Sequence, residues 1–425
     1  MTDIFARRLR RITGILQAWP HPAAVVVSSA PSVVRSRDGH YPYRQNSDFY
    51  YLTGSNEPDL TVFLRSARKR PLVVAPKPDP IKVVWEGRPR EDGRALARRL
   101  GADLIETSDP MKEILALLPG VSEVLHQNSL GTTSGALARK LADTPSHLRG
   151  SLPVRLAHID AILENLRLFK EPCEIAAIQR SAAITNRALH ETVPFMHPGQ
   201  TERTIAATIE YWFRLQGASP AFNTIAATGP SAATLHYHHL DRPLKRNDLL
   251  LIDCGAEHQM YCADITRCVP VGGVFEGIRR EIYTIVLAAQ EAALKAVRPN
   301  VAIQKVYDAA ARELIDGLVS LGVLRGKTSS LLKKGAHKPF FPHGIGHSLG
   351  IDVHDVGNLR GNNAAILKTG MVFTIEPGLY FPKPIRRVPA CGVRIEDDVL
   401  VTESGGEILS RGFPKDPDSI AALFN

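Results

Sequence analysis

The chain has little cysteine, and Cys173, Cys254, Cys262, Cys268 and Cys391 form no Cys-x-x-Cys pair. An odd count without a framework excludes a disulfide scaffold and points to reduced thiols in the cytoplasm. No stretch of 18 or more apolar residues occurs, so no membrane span is expected. The opening segment, MTDIFARRLRRITGILQAWP, lacks the apolar core of a signal peptide. Being rich in Arg and poor in acids, it leaves a mitochondrial transit peptide as the alternative to a first surface helix. No short-period repeat or low-complexity tract is present, which argues against a solenoid. Acids are outnumbered, 43 Asp and Glu against 52 Lys and Arg, for a formal charge of +9 and a pI near 9.3. The bases are scattered, however. The densest groups, Arg7-Arg8-Leu9-Arg10-Arg11 and Arg65-Ser66-Ala67-Arg68-Lys69-Arg70, are short and read as solvated surface rather than a nucleic-acid site.

With 425 residues, 44% hydrophobic and 22% charged, the chain reads as a globular protein too long for one core. Two domains are expected, 1–165 and 166–425. In the first, strand-like runs at Ala23–Ser28, Leu60–Leu64, Leu72–Ala75 and Ile81–Trp85 accompany helical stretches at Glu91–Leu100 and Pro110–Leu118, an α/β mixture. The second opens with helices expected over Glu174–Val193 and Thr201–Leu215, Thr201 serving as N-cap. Strands and hairpins follow, then helices at Ile278–Val297 and Val301–Leu321, then strands at Met371–Tyr380 and Gly392–Thr402. The helix-then-hairpin order recurs across this half, a hint of internal pseudo-symmetry.

Within these strands, acids interrupt apolar runs: LLLIDCG, CADITR, VFTIEPG and VRIEDDVLV. A buried carboxylate is costly unless paired, protonated or bound to metal. If Leu249–Gly255 and Met260–Val269 form a hairpin turning at His258-Gln259, Asp253 stands directly opposite Asp264. Two bare carboxylates so placed repel, and a divalent cation between them removes the repulsion. Glu376 ends an apolar strand before Pro377-Gly378; Glu396 sits in another, sharing a face with Arg394 and Asp398. Between them lies a stretch rich in His and Gly, with His343, His347 and His354. Spacing alone does not choose the ligand among the three. Oxygen-rich ligation with one nitrogen favours Mn²⁺ or a similar first-row ion over a thiolate-type zinc site.

These segments resemble the metal-dependent pita-bread peptidases, and among them the aminopeptidase P family. The likeness extends into the first half through DGHYPYRQNSDF, starting at Asp38, and through TGSNEP, starting at Thr53. The resemblance implies an α/β N-terminal domain and an α+β pita-bread catalytic domain. It implies that Asp253, Asp264, His347, Glu376 and Glu396 hold two divalent metal ions, Mn²⁺ foremost with Zn²⁺ or Co²⁺ as alternatives, Asp264 and Glu396 bridging. It implies removal of the N-terminal residue from peptides with proline second, by attack of a metal-bridging hydroxide on the Xaa-Pro bond. Glu376 would accept the water's proton, His354 stabilise the oxyanion, His236 assist the proline nitrogen and His343 shape the proline pocket. Arg394 matches an arginine behind the ligands. Relatives often carry a more acidic stretch where this chain has Tyr237-His238-His239-Leu240. Assembly as a homo-dimer or tetramer is implied too, with neighbour contacts in some members from the region matching Asp38 and Trp85. A prolidase and a non-catalytic peptide-binding homologue are the alternatives; nucleic acid is not an expected partner.

Overall fold

Helix α1 (Ile4–Gln17) begins where Asp3 accepts a hydrogen bond from the Phe5 N–H, and it buries Leu9, Ile12 and Leu16 on one face. The structure, a computed structural model, describes residues 3–127, 129, 131–145, 150, 152–153, 155–357, 359 and 365–424. Two units separate at Leu166/Arg167.

In the first unit, β1 (Ala23–Ser28) is wholly buried at the middle of a mixed six-stranded sheet. A short exposed hairpin, β2 (Val34–Ser36) and β3 (Gly39–His40), and helix α2 (Ser47–Thr53) lead to β4 (Thr61–Arg65) and β5 (Leu72–Pro76). Helices α3 (Pro80–Glu86) and α4 (Gly93–Leu100) precede β6 (Asp103–Thr107). Helix α5 (Pro110–Ala116), β7 (Glu123–His126), α6 (Thr133–Asp143) and β8 (Arg155–His158) follow, and α7 (Asp160–Leu168) runs across the boundary. Sheet order is β6-β5-β4-β1-β7-β8, with β4 antiparallel to β1 and to β5 and the remaining pairs parallel. The expected strand at Ile81–Trp85 is instead α3. Asp79 caps it by accepting from the Ile81 N–H, and Pro80 pre-sets its first turn. Helix α3 buries none of its residues; a β-branched run reads as a strand only when packing rewards it.

The basic groups serve structure in part. Arg8 is buried, donates to the Tyr51 carbonyl and lies over the Tyr51 ring, while Arg68 and Arg70 pair with Asp103.

The second unit starts with α8 (Pro172–Thr192), opened by a capping box between Glu171 and Glu174, and α9 (Glu202–Leu215), where Thr201 accepts from the Thr204 N–H as the N-cap expected. Strands β9 (Ser219–Pro220) and β10 (Ile225–Thr228) lead into a long bent hairpin. Its arms are β11 (Leu249–Cys254) continuing as β12 (Ala256–His258), and β13 (Tyr261–Cys262) continuing as β14 (Ile265–Pro270). Helices α10 (Gly277–Ala296), α11 (Ile303–Ser320) and α12 (Thr328–Lys333) come next. A second bent hairpin follows: β15 (Val372–Ile375) and β16 (Gly378–Phe381), then β17 (Cys391–Arg394) and β18 (Asp397–Thr402). Strand β19 (Gly405–Ile408) and α13 (Pro417–Ala421) finish the unit. The hairpins build sheets β10-β11-β14 and β15-β18-β19, backed by the helices through one continuous apolar core.

Candidate metal centre

Each hairpin bends where an acid sits. The expected strands Met371–Tyr380 and Gly392–Thr402 are both interrupted, the first at Glu376-Pro377 and the second at Ile395-Glu396. Pairing of Ile375 with Asp397 and of Gly378 with Arg394 carries one register through the break, so Glu376 stands opposite Glu396. The first hairpin departs from expectation. Its turn lies at Gln259-Met260, both with positive φ (49° and 66°), one residue later than assumed. Asp253 therefore pairs with Thr266, not Asp264, and Asp264 falls opposite Gly255 at the bend. A two-residue offset preserves the face, so Asp253 and Asp264 remain diagonal neighbours on one side.

His347 arrives on a segment that runs beside β15. Thr374 N–H donates to the His347 carbonyl (2.9 Å), and Glu376 N–H to the Ile345 carbonyl (2.8 Å). Gly346 makes the approach feasible, since a Cβ there would lie 1.8 Å from the Thr374 carbonyl oxygen. The Nδ1 of His347 donates to the Ser348 carbonyl (3.2 Å), leaving the Nε2 lone pair 3.4 Å from Asp264 Oδ2 and 3.8 Å from Glu376 Oε1. One donor atom each from Asp264, His347 and Glu396 lies within 4.8 Å of the other two, the spacing of a shared cation.

Electrostatics agree with geometry. Burial, then the charges of Glu396, Asp253, Asp398 and Glu376, push the Asp264 carboxyl well above its ordinary range. Glu396 is raised in the same way, by burial and then by Glu376 and Asp253, against the opposing pull of Arg394 and of a 2.6 Å hydrogen bond from Thr266 Oγ1. Oδ1 of Asp253 and Oδ1 of Asp264 are each shut off from solvent with no hydrogen-bond partner. Acids so crowded, with oxygens so orphaned, fit divalent cations better than they fit protons.

Arg394 stands behind this cluster, buried, and each of its three guanidinium nitrogens has a partner. It donates to Asp253 Oδ2 (2.5 Å), Thr266 Oγ1 (3.1 Å) and the Tyr380 hydroxyl (3.0 Å). Burial opposes its charge, yet Tyr380, Asp253, Glu396 and Glu376 together hold its pKa well above the ordinary value. Tyr380 in turn donates to His343 Nε2 (2.8 Å), since His343 Nδ1 is committed to the Gly344 carbonyl (2.9 Å). His343 Nδ1 also lies 3.6 Å from Glu376 Oε2. The exposed His354 lays its ring beside that of His347, centroids 4.0 Å apart. His236 is exposed in the segment after β10, and its ring makes no hydrogen bond or ion pair with the other candidates among the described residues.

Several supporting residues escaped sequence reasoning. Thr266 shares the Asp253–Asp264 face and was legible from period-two spacing alone. Arg267 interrupts an apolar strand, a signal of a buried partner: it donates to the Glu396 carbonyl (2.5 Å) and pairs with Asp397 (2.8 Å). Asp397 also takes Lys415 and Gln290, and Asp398 receives the Asp264 N–H (3.2 Å). Tyr380 carried no signal in sequence.

A fold of paired helices around two bent hairpins, with carboxylates and one imidazole gathered at the bends, defines a metallopeptidase class. The model of metallopeptidase family M24 matches residues 176–403, and that of the aminopeptidase P N-terminal domain matches residues 5–126. The chain belongs to metallopeptidase family M24, with the α/β N-terminal and pita-bread catalytic architecture read from the sequence. It is 37% identical to the Xaa-Pro aminopeptidase of Escherichia coli, over 97% of this chain and 96% of that protein. Among solved structures it is similar to aminopeptidase P from Escherichia coli with the inhibitor Pro-Leu (36% identity, TM-score 0.91, 99% of this chain and 98% of that one). It is equally similar to proline aminopeptidase P II from Yersinia pestis (35% identity, TM-score 0.91, 99% of each chain).

Proposed function

We propose that this chain is a dinuclear-metal Xaa-Pro aminopeptidase, which removes the N-terminal residue from peptides with proline in second position. The observation that carries the reading is the buried donor cluster with its two orphaned carboxylate oxygens, in a chain similar along nearly its whole length to Xaa-Pro aminopeptidases. Asp253, Asp264, His347, Glu376 and Glu396 would hold the two cations, and the oxygen-rich set favours Mn²⁺. Bound there, such cations supply Lewis acidity and bring the ionisation of water down to near neutral pH.

The chain's own groups do the rest. Glu376, beside His343 and His347, accepts the proton given up by the attacking water. His354 faces the carbonyl oxygen and balances its developing charge. His236 hands a proton to the departing proline nitrogen. His343, fixed by Tyr380, forms one wall of the pocket for the proline ring, whose fixed shape rewards a fitted surface. Arg394 holds Asp253 in place through the hydrogen bond to its Oδ2. The reduced-thiol pattern supports a cytoplasmic enzyme, and among the described residues no helix is long and apolar enough to cross a membrane. Exposed Ile81, Val84 and Trp85 on α3 support self-association as a dimer or tetramer, which ultracentrifugation tests.

The deciding experiment assays metal-stripped protein with and without Mn²⁺ on Xaa-Pro-Yaa tripeptides and Xaa-Pro dipeptides. Metal-restored release of the first residue from tripeptides is the expected result. Cleavage of dipeptides alone would make the enzyme a prolidase, and no cleavage with any divalent ion would overturn the reading.

A further inference from the structure

Away from the carboxylate cluster, the second unit buries another set of charges. Asp355 accepts from Arg167 Nη2 (2.5 Å) and Lys170 Nζ (3.0 Å), and the three side chains are 2%, 5% and 1% exposed. Arg167 Nη2 also reaches the half-exposed Asp352 (2.8 Å). Desolvation offsets much of what such pairing returns, so a buried ionic cluster is weak evidence of added stability, while its directional bonds fix a geometry. What it defines is the loop from Ser348 to Gly357. Asp355 N–H donates to the Ser348 carbonyl (2.9 Å), and Gly350 N–H to the Asp352 carbonyl (3.1 Å). The loop wraps the carboxylate so closely that a Cβ on Gly350 would lie 2.1 Å from Asp355 Oδ2. The residue next to Asp355 is His354, whose ring lies on His347 while the Asp355 carboxylate is buried. The clamp is anchored to the site's own frame: Lys170 N–H donates to the Gly370 carbonyl, and Gly370 N–H to the Val401 carbonyl on β18, the strand that follows Glu396.

We propose that Asp355, gripped by Arg167 and Lys170, is a positioning residue that sets the His354 imidazole over His347 for the reaction. The inference rests on the role assigned to His354 above. A residue acting only through His354 has nothing left to lose once His354 is gone, which a double-mutant cycle measures.

The test compares Mn²⁺-loaded wild type, Asp355→Asn, His354→Ala and the double variant on an Xaa-Pro-Yaa tripeptide, with metal content determined for each. Imidazole ¹⁵N spectra of the metal-free wild type and Asp355→Asn supply a readout independent of activity. Asp355→Asn is expected to lower kcat about 10- to 100-fold with KM and metal content little changed. The double variant should match His354→Ala within about twofold. The His354 resonance should shift or broaden in Asp355→Asn while that of His236 stays. Multiplying losses in the double variant, or an unmoved His354 resonance, would overturn the proposal. If Asp355→Asn fails to fold, Lys170→Met takes its place in the same cycle and spectra. An inactive wild type would instead remove the aminopeptidase reading, and the spectra alone would then decide whether Asp355 orients His354.

Discussion

At Asp264 the burial that suits a cation works against the metal-free protein. Asp264, Glu396 and Asp398 all have carboxyl pKa values raised by burial first and then by neighbouring acids, Glu396 and Asp253 for Asp264, Glu376 and Asp253 for Glu396, and Asp397 for Asp398. The folded chain keeps protons there that the unfolded chain releases near pH 4, so metal-free stability falls as pH rises from about 4 towards neutrality. Asp397 has the opposite sign. Despite burial, Arg267 and Lys415 hold its carboxyl down at about 2, so its contribution is complete above the unfolded value and is lost as pH falls through about 2. Calorimetry of the metal-free protein should therefore show Tm declining from about pH 4 to pH 7, while Mn²⁺, whose ligands must be deprotonated, removes that decline. Asp264→Asn should abolish the Mn²⁺ effect yet raise the metal-free Tm of the second unit at pH 7 by roughly 2 °C, what ~1 kcal/mol gives in a unit of that size. A metal-free variant less stable than wild type would contradict the repulsion argument. At this scale the acids that the structure gathers were legible, because an acid inside Leu-Leu-Leu-Ile or Val-Phe-Thr-Ile has few explanations. The residues behind them were not: nothing near Tyr380 marks its bonds to Arg394 and His343, and nothing near Lys415 marks its pairing with Asp397.

Among the elements, the break in each hairpin is the working part. The segment carrying His347 lies against β15 with no room for a side chain at Gly346, so Gly346→Ala must push His347 away from Asp264 or part the strands. A loss of about 3 kcal/mol is expected, as for an overpacked core. In urea titrations the midpoint should drop and Mn²⁺ should fail to restore it; a fully rescued midpoint would show that the segment can yield. Sequence reading placed helices well where caps announced them, as Thr201 does for α9. It failed where tertiary packing decides. Ile81–Trp85 has strand composition but no strand to join, and Asp79-Pro80 starts a helix there. The turn at Gln259-Met260 takes two left-handed residues without the Asn or Gly that normally mark them, so the register was placed one residue early. The face survived because the resulting offset is two.

For the whole molecule, metal and fold are one equilibrium in the second unit, since every candidate ligand lies between Asp253 and Glu396. Mn²⁺ at a hundred times its Kd should stabilise by about 2.7 kcal/mol, and a chelator should reverse it. Hydrogen exchange should locate the gain: slower exchange over Leu249–Pro270 and Val372–Thr402, with Ala23–Ser28 unchanged. Uniform slowing across both units would contradict that assignment. The spread of the ligands along the chain also bears on how the protein is born. His347, Glu376 and Glu396 leave the ribosome long after Asp253 and Asp264, so the growing polypeptide can offer a cation only the first hairpin's acids. A complete set of donors exists only once the second hairpin has closed on the first, so the compartment in which folding ends is the one whose cations first meet it.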